Sequence, residues 1–114
     1  GGLMDAEFLA QVFCLSQGWR EPNTLKALVR ARSAGLIAEG DAAALIENYR
    51  RLRRIEGGLR RWSYEGETEL PADPAPMYRV AIRCGFTNAD DFQRAVGRYR
   101  EGIGRVYRQV MSAA

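Results

Sequence analysis

The sequence predicts an all-α protein, an antiparallel bundle of four or five helices. Three observations carry this reading. Apolar residues recur at steps of three and four through most of the 114 residues, which places them along one face of a helix. No segment alternates apolar and polar residues with the period of two that a half-buried strand requires. Glycine, proline, asparagine and aspartate gather between the periodic stretches, where helices start and stop. The predicted helices are about 5–18, 24–34, 42–64, 74–84 and 88–112, within one helical domain over residues 1–114.

The first helix follows from Phe8, Val12, Leu15 and Trp19, at steps of four, three and four, which predicts one buried stripe ended by Gly18. Asn23, after Pro22, is the predicted N-cap of the second, which carries Leu25, Leu28 and Val29 and closes at Gly35 with Leu36 folding back. Asp41 is the predicted cap of the third. Its stripe is Leu45, Tyr49, Leu52, Ile55, Leu59 and Trp62, and it keeps phase across Gly57-Gly58, so the helix is predicted to be continuous but bent.

Periodicity disappears from Glu65 to Pro76, which predicts a loop. Asp73-Pro74 then caps a short fourth helix with Met77, Val80 and Ala81 inward, closed by Gly85. Thr87 with Asp90 resembles a capping box for the last helix, whose stripe of Phe92, Val96, Tyr99, Ile103, Val106 and Val110 is the most regular in the chain. Gly97, Gly102 and Gly104 lie off that stripe, where they lower helix propensity and permit close packing.

Composition limits the chemistry. Hydrophobic residues at 46% and charged residues at 27% describe an ordinary globular core rather than a disordered segment. The absence of histidine excludes His-based metal sites, His general bases and Ser-His-Asp or Cys-His triads within this sequence. Cys14 and Cys84 lie far apart among apolar neighbours and read as reduced core or half-buried residues, with a single disulfide between them as the alternative. The net charge of +3 rests mostly on arginine, which favours fixed contacts to carboxylates or phosphates; with no reading motif, nucleic acid is not an expected partner. No apolar run approaches the ~20 residues that span a bilayer, so no membrane partner and a cytoplasmic location are expected. Gly1-Gly2-Leu3-Met4-Asp5 has no methionine at its head, which predicts a fragment or a domain boundary.

Two groups of residues are candidates for function. Asp5 and Glu7 place two carboxylates in the predicted first turn, where they either cap the helix or reach a catalytic neighbour and orient an arginine or a metal-bound water there. Arg50, Arg51, Arg53, Arg54, Arg60 and Arg61 form the densest positive patch. It is a solvated or domain-contacting face, or it meets nucleotide phosphates or an acidic partner, and Arg53 or Arg54 can pair with Glu7 or Glu56. Glu67 and Glu69 lack the neighbours that would complete a metal or acid-base set. No catalytic residue and no metal ligand are assigned within the chain.

Gly1-Gly2-Leu3-Met4-Asp5-Ala6-Glu7-Phe8-Leu9-Ala10-Gln11 resembles the run that begins the helical domain of the glutamine synthetase adenylyltransferases. Asn23-Thr24-Leu25, Gly35-Leu36, Asp41-Ala42, the stretch from Tyr49 to Glu56, and Glu67-Thr68-Glu69-Leu70-Pro71 resemble the same domain in the same order. The resemblance covers essentially the whole chain and weakens after Pro76. Ala6, where the family usually has isoleucine or valine, and Gly57-Gly58 after Glu56 depart from it.

The resemblance implies a helical accessory domain of a bifunctional enzyme. Such an enzyme transfers AMP from ATP to a tyrosine of glutamine synthetase, removes it by phosphorolysis, and answers to PII proteins and glutamine. It further implies an adjacent nucleotidyltransferase domain that holds ATP and magnesium, a fragment without cofactor or activity of its own, and glutamine synthetase as partner. Met4 and Asp5 look more like the C-terminal, adenylylating half, since the removing half more often has arginine followed by glutamate there. The alternative is a regulatory module that binds PII protein or the other half of the enzyme. The helical domain of the related uridylyltransferases fits less well, because position 4 lacks their usual arginine.

Overall fold

The computed structural model describes residues 2–62 and 74–113, with the side chains at 60–62, 74 and 113 outside the description. Among these residues there are five helices and no strand: α1 (Leu3–Gln17), α2 (Thr24–Ser33), α3 (Glu39–Trp62), α4 (Pro74–Arg83) and α5 (Ala89–Ala113). The all-α prediction holds. The loop and Asp73 cap expected between α3 and α4 lie outside the described residues.

The two long helices, α3 and α5, share the most extensive contact; α1 packs on α2, α3 and α5, and α4 packs on α5. Leu45, Tyr49, Leu52 and Leu59 of α3 join Phe92, Val96, Ile103 and Val106 of α5 in the core, with Met77, Val80 and Ala81 of α4. These are the predicted inward residues of the three helices. Phe92, Leu9, Leu28, Leu45, Ile103 and Val106 are the largest fully buried side chains, and each contributes about 1.5–3 kcal/mol by leaving water. α3 continues through Gly57-Gly58, and Gly58 is buried.

Helix ends explain the turns. Asn23 Oδ1 accepts from the Lys26 N–H at 3.0 Å, the predicted cap of α2. At its other end Gly35 has φ 73°, and the Leu36 N–H donates to the Ala31 carbonyl at 3.0 Å, so the chain reverses and Leu36 packs back on the core. The same device ends α4: Gly85 has φ 88°, the Phe86 N–H donates to the Ala81 carbonyl at 3.0 Å, and the Phe86 ring meets Phe92 edge-on at 5.4 Å.

Three expectations are corrected. α1 buries Ala6, Leu9, Ala10 and Phe13, while Phe8 is 44% exposed and Leu15 84%. Its apolar residues occupy two faces, and the face with two alanines, which allow close approach, is the one turned inward. α3 starts at Glu39, so Asp41 sits inside its first turn and its Oδ1 lies 3.6 Å from Arg105 Nη2 of α5. α5 is capped by Asn88 rather than Thr87. Asn88 Oδ1 accepts from the Asp91 N–H at 2.8 Å, and Asn88 Nδ2 donates to Asp91 Oδ2 at 3.1 Å.

Candidate functional site

Residues on a helix advance by about 100° each, so a run of arginines cannot share one face. The predicted patch is divided accordingly. Arg50 and Arg53 turn toward α1 and α2, Arg51 turns toward α4 and α5, and Arg54 borders both sides. The side chains of Arg60 and Arg61 lie outside the described residues.

The first cleft, about 510 Å³, lies where α1, the start of α2 and the middle of α3 meet. Arg50, Arg53 and Arg54 line it together with Glu7, Asn23 and Thr24. Asn23 and Thr24 are the cap and first residue of α2, and the N-terminal end of a helix carries partial positive charge. Glu7 is the single carboxylate among the described lining residues. Because α1 begins at Leu3, Glu7 falls in its second turn, and Asp5, half-buried, is the acid of the first turn. The structure thus brings Glu7 and three of the six predicted arginines to one cleft. Glu7 shares this cleft with Arg53 and Arg54, the two arginines expected to pair with it or with Glu56.

The second cleft, about 460 Å³, lies on the other side of α3. Arg51 and Arg54 face Arg83, Cys84 and Phe86 at the end of α4 and Tyr99 of α5. The Arg51 guanidinium stands 5.6 Å from the Tyr99 ring centroid, and its Nε donates to Glu47 Oε1 at 2.8 Å. Tyr99 first, then Glu47, raises the pKa of Arg51 above its ordinary value. Burial pushes the Cys84 thiol up. Sequence reasoning placed Tyr99 on the buried stripe of α5 and read Cys84 as a reduced core or half-buried residue, and it did not single out Arg83 or Phe86. The signal was the Gly85 stop, which turns the chain back over α3 and α5.

Among the described residues no group of three or more carboxylates, cysteines or histidines converges as metal ligands. No helix of the described residues is long and apolar enough to cross a membrane.

A family model described as GlnD PII-uridylyltransferase matches residues 1–111. The bifunctional glutamine synthetase adenylyltransferase/adenylyl-removing enzymes of Bordetella pertussis and Bordetella bronchiseptica are each 36% identical over 119 aligned residues, covering 100% of the chain. The chain belongs to the GlnD PII-uridylyltransferase family, as a helical domain of the glutamine synthetase adenylyltransferase type. The adenylyltransferase/adenylyl-removing enzyme of Ralstonia nicotianae is 31% identical over 117 residues. The family model carries the description that Met4 argued against, and these full-length adenylyltransferases the one it favoured. The chain spans 12% of the length of these adenylyltransferase relatives. No solved structure matches it significantly.

Proposed function

We propose that this chain is the accessory helical domain of an enzyme that transfers AMP from ATP to a tyrosine of glutamine synthetase and removes it by phosphorolysis. In this reading it belongs to the C-terminal, adenylylating half, in the cytoplasm. It supports the active site of a nucleotidyltransferase domain packed on α1 and contributes to the surface where glutamine synthetase docks.

The observation that carries the proposal is the outer face of α1. Met4 is 82% exposed and Leu15 84%, with Phe8 between them. An isolated exposed leucine means little, but apolar residues repeating along one helix face beside a buried opposite face describe a helix made to be covered twice. Phe8 also meets Tyr107 of α5, ring centroids 6.1 Å apart, so the face continues onto the neighbouring helix. Glu7 leaves the same helix toward the arginine cleft. A catalytic domain seated on the outer face of α1 then lies next to guanidinium groups able to meet phosphate oxygens. ATP and magnesium are held mainly by that domain, and this chain offers arginines toward the phosphates.

The test is the double substitution Met4→Glu and Leu15→Glu in the full-length enzyme. Neither residue is in the core, so the helical domain keeps its fold. Adenylylation of glutamine synthetase should fall at least tenfold. Unchanged kinetics would remove α1 as the seam.

A further inference from the structure

We infer that the second cleft, between α3 and the α4–α5 corner, is a binding site for a nucleoside phosphate. Arg51, Arg54 and Arg83 bring three guanidinium groups to its wall, and among the described lining residues there is no carboxylate. Glu47 engages Arg51 from outside the cleft wall. A guanidinium group presents a planar fork of donors that matches phosphate oxygens, and three around one space make a concentrated anion site.

The rest of the wall is apolar and aromatic. Phe86 is half-buried and fixed edge-on against Phe92, and Tyr99 is half-buried under Arg51. Ile55 and Cys84 complete an apolar floor, and burial there pushes the Cys84 thiol up. A cleft of about 460 Å³ is within the ~300–1,000 Å³ range of small-ligand sites. Charged at one kind of surface and flat and apolar at the other, it fits a ligand with a phosphate group and a planar ring. A free inorganic anion would leave the aromatic surface unused. The choice of a nucleotide, rather than another ring-bearing phosphate, rests on the reading of the chain as part of an adenylyltransferase; the anionic ligand character does not.

The site differs from the Glu7 cleft in composition and in face. Arg54 alone borders both, so the test avoids it. The probe is 8-azido-ADP, photolysed with the full-length protein and followed by tryptic peptide mapping. Phe86 lies on the tryptic peptide of residues 84–94. That peptide should be labelled, with ADP competing and adenosine not. Arg51→Gln should raise the probe concentration for half-labelling about tenfold, as loss of one charge-assisted contact does, and Phe86→Leu should weaken labelling while keeping the packing. Labelling of other peptides serves as the control for folding. No label on residues 84–94, an Arg51→Gln variant that labels as well as the parent, or displacement by inorganic pyrophosphate as effective as by ADP would each overturn the nucleotide site. If the peptide labels but the enzyme transfers no AMP to glutamine synthetase, the site stands and the functional reading falls.

Discussion

Gly102 of α5 faces Asn48 of α3 so closely that a methyl group at position 102 would lie 2.1 Å from Asn48 Nδ2. The glycine is therefore part of the packing between the two longest helices, and Asn48 is the residue that occupies the space. Gly97, on the same helix, has nothing within 4 Å of an added Cβ.

The two glycines should respond differently to alanine. Gly97→Ala should stabilise the fold by about 1 kcal/mol, the difference in helix propensity. Gly102→Ala should gain less, because Asn48 must move, and should recover about 1 kcal/mol in an Asn48→Ala background. Urea unfolding of the four variants measures this coupling. Equal gains at Gly102 in both backgrounds would show that the close approach has no energetic consequence.

The start of α5 gives a second comparison. Asn88→Ala should cost about 1 kcal/mol, since it removes the acceptor for the Asp91 N–H. Thr87→Ala should change stability by less than about 0.5 kcal/mol. Thermal denaturation separates the two, and a larger loss at Thr87 would restore the cap expected from sequence.

The link between α2 and α3 should depend on pH. Arg32 Nε donates to Glu39 Oε1 at 2.8 Å, and this hydrogen bond holds the Glu39 carboxyl below its ordinary value. A carboxylate depressed in the fold contributes stability above its unfolded pKa of about 4.3 and loses it as pH falls through the folded value. Glu39→Gln should therefore flatten the acid limb of the stability curve below about pH 4.5. The effect should be small, because both side chains are exposed. An unchanged acid limb in chemical denaturation would contradict this.

The helices with one apolar stripe were legible in the sequence. The described stripe residues of α3, α4 and α5 point inward as their spacing predicts, because a single stripe leaves only one way to bury it. α1 was misread because it has two apolar faces. Periodicity finds both, and only packing decides which is covered by its own chain. At α5, Thr87 and Asn88 are both good caps in adjacent positions, and one residue of register separates them. The arginine run was visible as charge. Its division between two clefts needed the orientation of α3, and the contribution of Arg83, Phe86 and Tyr99 needed the turn at Gly85, which places residues distant in sequence on one wall.

The central claim is that α1 joins this helical domain to a catalytic one, with Glu7 on the seam. Glu7→Gln in the full-length enzyme tests it most directly, since the substitution keeps shape and removes charge. We predict that the turnover number for adenylylation of glutamine synthetase falls at least tenfold while the unfolding midpoint moves by no more than a degree or two, about the change expected for a surface substitution of ~0.5 kcal/mol or less. Unchanged turnover, or a loss of activity matched by a loss of folded protein, would contradict the account.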